Sequence, residues 1–272
     1  MEDWSEVRGD HWRSHLDGFE VMLRPVDTPL LESLALSRAT RIADLGCGSG
    51  ATTRALRWAA PDAEVHGFDI SAALLDVARS RSADLHLRFE RVDLERAPAP
   101  ARPYDRLSSR FGLMFFGDPR ASFARLREWL TPSGRFAFAV WGPVSDNLWA
   151  SSVRDVVAEL VSVPVEPPDA PSPFRYGDVE TLLEELDASG FTRLAAREWR
   201  GALPMGTSTT PLAAARFALT AFSSMAAALD CTSASTQAEA ERRLASRWEA
   251  HSWAGVTALP ACVHIVTGEA SA

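Results

Sequence analysis

The chain has 272 residues, 46% of them hydrophobic and 24% charged, a length suited to one large domain with an accessory region and too short for two independent enzymes. Its 28 basic and 36 acidic residues leave a net charge of −8, which argues against nucleic acid as a partner, because proteins that neutralise phosphates carry the opposite excess. All the basic residues are arginine; without lysine, Schiff-base enzymes and phosphate-loop NTPases are excluded, since guanidinium keeps its proton near neutrality.

Cys47, Cys231 and Cys262 show no Cys-x-x-Cys pair and no metal-ligand spacing, so no metal is expected and a reducing, cytoplasmic setting is. The first twenty residues are too polar for a signal peptide. The stretch from Ala213 to Leu229 is interrupted by Arg216, Thr220 and Ser223 and reads as a buried helix, not a membrane span.

Short apolar runs alternate with helical patterns, the signature of a parallel sheet with helical crossovers. Arg41 to Leu45 reads as the first strand, followed by a helix from about Ala51. Glu64 to Asp69 is the second, with Ser71 capping a helix that turns Leu74, Leu75 and Ala78 inward. Leu85 to Asp93 is a third strand with one apolar face, suited to the sheet edge. Tyr104 to Phe111 is the fourth, and Asp118-Pro119 opens the next helix. After the Thr131 to Gly134 turn, Phe136 to Trp141 is the fifth. An amphipathic stretch from Leu148 to Val161 then leads into a linker with Pro164, Pro167, Pro168, Pro171 and Pro173. A helix follows Asp178 and Gly190 ends it, before a strand from Phe191 to Trp199. Roughly sixty residues separate that strand from the last, Ala261 to Thr267. They carry two helical patterns, one opening at Thr210-Pro211 and one at Thr236, where Glu239 completes a capping box. So long an excursion between strands is expected to form a cap.

The strongest motif is Asp44-Leu45-Gly46-Cys47-Gly48-Ser49-Gly50, a strand that breaks into glycines and opens a helix. The glycines permit a tight turn and close approach of a ligand to backbone N–H groups, which implies a nucleotide-like cofactor. The looser dinucleotide fingerprint also fits the spacing, and Asp44 separates the two readings. A carboxylate there repels a pyrophosphate and attracts an ammonium or sulfonium, favouring S-adenosylmethionine over NAD; its plain alternative is an acid capping turn amides. Asp69, at the tip of the second strand, is placed to accept from both ribose hydroxyls, with Ile70 against the adenine and Asp93 at its amino group.

These residues resemble the class I S-adenosylmethionine-dependent methyltransferases. The likeness runs through the Asp44–Gly50 motif, Gly67-Phe68-Asp69-Ile70-Ser71, Val92-Asp93-Leu94, Tyr104-Asp105, Ser109-Arg110-Phe111-Gly112-Leu113-Met114-Phe115-Phe116 and Pro132-Ser133-Gly134-Arg135, and is clear from about Ile42 to Trp149. The Ser-Arg-Phe-Gly run, Asp146-Asn147-Leu148-Trp149 and Pro173-Phe174 are similar to a branch that includes ubiquinone and menaquinone biosynthesis methyltransferases and natural-product tailoring enzymes. The resemblance implies a Rossmann-like, seven-stranded, mostly parallel α/β sheet with its last strand antiparallel. It implies S-adenosyl-L-methionine as cofactor, held by Asp44, Gly46, Cys47, Gly48, Gly50, Asp69, Ile70, Asp93, Leu94, Ser109 and Arg110. Ser109, Arg110 and Phe111 are expected near the transferable methyl. Arg110 departs from the smaller polar residue of many relatives; an acidic substrate group, the cofactor carboxylate and a salt bridge are three open partners for it.

The domain reading is a lid over 1–40, a cofactor-binding domain over 41–200 and 258–272, and a cap over 201–257. His11 and His15 in the lid are the candidate general bases, with solvated side chains as the alternative. Trp12 from the lid and Trp141 at the end of the fifth strand, with Phe111, are candidate walls of a flat apolar acceptor pocket; most other aromatics read as packing anchors. The expected function is methyl transfer to O, N or C of a small-molecule acceptor, aromatic, quinone-like or a secondary metabolite. The rivals are a cofactor-binding protein that does not methylate, such as a cyclase or partner subunit, and a nicotinamide oxidoreductase. A monomer and a homodimer fit the sequence equally.

Overall fold

Strand and helix alternate along the chain as the apolar pattern requires. A computed structural model describes Trp4 and residues 7–163, 170–207 and 210–271; Pro164, Pro167 and Pro168 of the linker lie outside the described residues. Three short helices come first: α1 (Val7–Ser14), α2 (Leu16–Leu23) and α3 (Asp27–Ser33). There follow β1 (Arg41–Leu45), α4 (Ala51–Ala59), β2 (Glu64–Asp69), α5 (Ala72–Arg81), β3 (Arg88–Arg91), β4 (Tyr104–Arg110), α6 (Pro119–Arg127), β5 (Leu130–Trp141), α7 (Leu148–Leu160), α8 (Val179–Ala188) and β6 (Phe191–Pro204). The chain ends with α9 (Pro211–Ala221), α10 (Ser223–Asp230), α11 (Ala234–Trp248), β7 (Ser252–Trp253) and β8 (Val256–Ala270).

The sheet order is β3-β2-β1-β4-β5-β8-β6, with the two-residue β7 beside β8. Pairs up to β5 are parallel, and β8 runs antiparallel to both β5 and β6. This is a Rossmann-like sheet with one reversed strand. Its centre is covered on both faces, so Ile42, Ala43, Leu45, Leu107, Ala137 and Phe138 are all buried, while edge strand β3 buries only Phe89. The predicted caps form: Ser71 accepts from Leu74 N–H, Asp118 from Ala121 N–H, and Thr210 from Ala213 N–H.

Four local expectations change. The third strand is shorter than Leu85–Asp93, because Leu85 N–H closes a turn onto Ser82 and His86 takes a left-handed φ of 50°. The Thr131–Gly134 turn is a bulge inside β5, where the register against β4 jumps from Tyr104↔Leu130 to Arg106↔Arg135. The stretch from Ala213 to Leu229 is two helices broken at Phe222, which is extended. The last cap helix starts earlier than Thr236: the Ser233 hydroxyl accepts from Thr236 N–H, and Glu239 pairs with Arg242 and Arg243.

Candidate functional site

The glycine turn after β1 is shaped by backbone demands. Gly46, Gly48 and Gly50 all have positive φ, the region open to glycine at least cost. A side chain on Gly46 would lie 2.9 Å from the Gly112 Cα, and one on Gly50 would lie 2.9 Å from the Phe89 ring, so both are fixed by packing. Gly48 differs. A side chain there would meet nothing nearer than Leu74 at 4.0 Å, so the turn faces open space where a ligand can reach its backbone. Cys47 is buried against this turn, and burial holds its thiol well above the usual range.

Asp69, at the tip of β2, accepts from Gly48 N–H at 2.8 Å and from Ser71 N–H at 2.8 Å. Burial pushes its pKa up, and these N–H groups pull it back down. A carboxylate offers about four acceptor positions, so two remain for other donors. Ile70 follows, its carbonyl accepting from Arg91. Asp93 lies beyond β3 in a turn, accepting from Glu95 N–H with Arg96 at 3.5 Å, and Leu94 is buried.

Asp44 is buried within the sheet and accepts from the Thr53 hydroxyl at 2.6 Å. Burial pushes its pKa up to about 7; Asp27 and Asp69 push the same way, while the Thr53 bond and Arg110 oppose them. Arg110 is tied to the N-terminal helices: its guanidinium donates to the Asp27 carboxylate at 3.0 Å and to the Leu23 carbonyl at 3.1 Å. Of its three open partners, the salt bridge is the one the structure contains, reaching α3. Ser109 is buried and donates to the Leu45 carbonyl at 2.7 Å, so its hydroxyl links β4 to the end of β1.

The first three helices lie over this end of the sheet. The α1 backbone rests on the end of β2, since a side chain on Gly9 would lie 2.4 Å from the Ser71 Oγ. Behind it the segment is rooted by Met22, Val26, Leu30 and Leu34, each at most 1% exposed. At about 1.5–3 kcal/mol apiece they anchor α2 and α3 far more firmly than α1. The N-terminal helices bring Asp27 and Glu20 to this end of the sheet: Asp27 also accepts from Thr52, and Glu20 accepts from the Ser49 hydroxyl at 2.5 Å and meets Arg81 at 2.9 Å. Helix α9 packs on α2, with Gly18 pressed on the Phe217 ring, while α10 and α11 pack on α7.

His11 and His15 face α9. His11 Nε2 lies 3.0 Å from the Ala221 carbonyl. His15 Nδ1 approaches the His11 carbonyl, and its ring lines a surface cleft with Asp17, Arg81 and Phe217. Neither ring hydrogen-bonds to a strand-end residue among the described residues. The predicted aromatics do converge, through intermediates. Phe111, held at a left-handed φ of 63°, stacks on Trp141 at 4.0 Å. Trp149 and Phe222 continue the row, each step 4.8 Å. Phe19 then leads to Trp12, stacked at 3.7 Å. Sequence reasoning missed Glu20, Asp27 and Phe222 as part of this site.

The glycine turn and the strand-end acids lie at the switch in strand order between β1 and β4, the place where open α/β sheets bind ligands. A family profile described as a methyltransferase domain matches residues 42–134. The chain is 34% identical over 140 residues to the biotin biosynthesis bifunctional protein BioCD of Bordetella avium, covering 52% of this chain and 30% of that one. It is 32% identical over 125 residues to demethylmenaquinone methyltransferase of Deinococcus radiodurans, covering 45% and 52%. The chain thus spans about half or less of these relatives' lengths. The YcgJ protein of Bacillus subtilis shares the fold, with a TM-score of 0.58 at 15% identity over 92% of this chain and 99% of that one. Over residues 42–134 the chain is thus similar to methyltransferase domains, and its fold is one it shares with solved structures. No helix among the described residues is long and apolar enough to cross a membrane.

Proposed function

We propose that the protein transfers a methyl group from S-adenosyl-L-methionine to a flat, largely apolar small-molecule acceptor such as a quinone-like or polycyclic aromatic compound. The observation that carries the cofactor is Gly48: a Cβ there would meet nothing nearer than Leu74 at 4.0 Å, so its backbone faces open space beside Asp69, which accepts from its N–H. In this reading Asp69 and Ile70 hold the ribose and adenine, with Asp93 and Leu94 at the adenine edge. The carboxylates of Asp44, Asp27 and Glu20 surround the cationic methionine end. The Arg110 guanidinium, bonded to Asp27 and close enough to Asp44 to lower its pKa, is placed for the methionine carboxylate.

When bound, the cofactor supplies a methyl carbon already activated by its sulfonium. The chain's own residues align the acceptor and exclude water, which accounts for much of the acceleration in such displacements. Trp12, Phe111 and Trp141 wall the acceptor, and residues 1–40 act as a lid and 201–257 as a cap over a cofactor domain formed by the remainder. His11 and His15 join lid to cap, so an acceptor that ionises easily or carries a neutral amine needs no dedicated base here.

Incubating the protein with isotopically labelled S-adenosylmethionine and a panel of phenols, quinols and amines tests the reading. A product heavier by one labelled CH2 unit supports it. An isomerised product of unchanged mass, with cofactor bound, would assign the non-methylating alternative. Tight NADH binding without S-adenosylhomocysteine binding would overturn both.

A further inference from the structure

Away from the crevice, a second group of chemically capable side chains is assembled by strand pairing. Cys262 and His264 lie two apart on β8, so their side chains share one face of the sheet. Glu198 on β6 sits directly opposite His264 in the antiparallel ladder, which places it on that face as well. One ligand-type atom from each of the three lies within 4.8 Å of the other two. Cys262 and His264 are buried and Glu198 is exposed.

We propose that Glu198, Cys262 and His264 form a binding site for a divalent transition-metal ion, zinc(II) by its donor set. One thiolate, one carboxylate and one neutral imidazole balance a dication and match the mixed sulfur, oxygen and nitrogen ligands that zinc accepts. Bonds of about 2.0–2.3 Å place tetrahedral ligand atoms roughly 3.3–3.8 Å apart. The three atoms therefore need to close by no more than about 1.5 Å, and the exposed Glu198 is free to make that movement.

The two buried ligands are already held. Cys262 N–H donates to Asn147 Oδ1 at 3.2 Å, and its carbonyl accepts from Asn147 Nδ2 at 3.2 Å and from Gly142 N–H at 3.0 Å. The His264 Nε2 lies 3.3 Å from the Gly177 carbonyl, the outer hydrogen bond by which a coordinating histidine is commonly oriented, with Nδ1 as the ligand atom. Arg200 competes for Glu198 at 2.5 Å but also bonds Asp146 at 2.7 Å. It is well exposed, and exposed pairs exchange at little cost, so Arg200 keeps Asp146 when Glu198 turns to the metal. On binding, the thiol proton leaves to solvent, the sulfur–metal bond replaces it, and no oxidant is involved. The ligands come from strands on either side of residues 205–255, so the ion staples the base of that excursion. The local-spacing rule that predicted no metal does not see ligands brought together by a sheet ladder.

The test is titration of the metal-free protein with cobalt(II) as a spectroscopic stand-in, followed by zinc(II). The expected result is one equivalent bound, with a thiolate-to-cobalt charge-transfer band that zinc displaces. The band is retained in Cys231→Ser, which changes the exposed thiol, and lost in Cys262→Ser. Zinc should also raise the thermal midpoint of the wild type by mass action and leave that of Cys262→Ser unmoved. Because Cys262 also packs against Gly142, Glu198→Gln provides a surface change that leaves the core intact. It should weaken affinity at least about tenfold, since losing a ligand costs no less than losing an outer-shell partner. No charge-transfer band, a band that depends on Cys231, or unchanged affinity in Glu198→Gln would each overturn the site.

Discussion

Replacing Asp44 by asparagine isolates the electrostatic core of the proposed cofactor site. In the folded protein its carboxyl is raised from 3.8 to about 7, chiefly because it is buried beside β4 and α4. The folded state therefore holds this proton more tightly than the unfolded chain does. As pH rises above 3.8 the unfolded chain gains by ionising while the folded form remains protonated, so stability falls until about pH 7 and then levels off. At about 1.36 kcal/mol per pKa unit, ionised Asp44 costs the fold roughly 4 kcal/mol above neutrality. Between about pH 5 and pH 8 the loss grows by roughly 2–3 kcal/mol. The substituted amide does not ionise, so Asp44→Asn gains that amount on the wild type over the interval, whatever constant offset the amide introduces. Urea unfolding of both proteins without cofactor, at several pH values across the interval, measures the difference. A bound ammonium or sulfonium favours the ionised form, so wild-type cofactor affinity should rise with pH through about 7 and that of Asp44→Asn should be weak and flat. Parallel stability profiles would refute the burial argument, and full cofactor affinity in the variant would remove Asp44 from the site.

Asp69→Ala should weaken S-adenosylhomocysteine binding by about 1–3 kcal/mol through loss of charged hydrogen bonds; an unchanged calorimetric dissociation constant removes its ribose role. Gly48→Val has space for its side chain but a φ of 54°. It should fold with about 1–2 kcal/mol less stability and bind no cofactor, and normal binding would mean that the ligand lies elsewhere. Asp27→Asn leaves the partly buried Arg110 guanidinium without its counter-charge, a loss of about 1–3 kcal/mol. Hydrogen exchange in α2 and α3 should quicken while β1 and β4 stay protected, and uniform exchange would show that the pair does not secure the lid. His11→Gln should keep turnover within about twofold, because the ring meets the cap and not the strand ends; a fall of about a hundredfold would make it the general base.

The parts of this site legible in the sequence are those set by neighbours along the chain. A strand that breaks into glycines, an acid at the next strand tip and hydroxyls that cap the following helix each follow from local geometry, and the observed φ angles and cap bonds reproduce them. Where several local solutions compete, the nearest acceptor decides: the Ser233 hydroxyl reaches the free N–H of Thr236 a turn before Thr236 itself can cap. The parts not legible are pairings across the fold. Arg110 meets Asp27 from 83 residues away, and Glu20 meets Ser49 from 29; a charge on an amphipathic helix carries no mark of whether it turns to solvent or over a crevice. The same limit separates Trp141 from Phe222, since only the return of the chain after β6 brings the cap's aromatic ring to Trp149. The residues proposed for the cofactor thus follow from local rules, whereas the aromatic row proposed for the acceptor is built from segments far apart in sequence. If the proposed function holds, residues 1–40 and 201–257, which lie outside the matched residues 42–134, would do more than the glycine turn to select the acceptor.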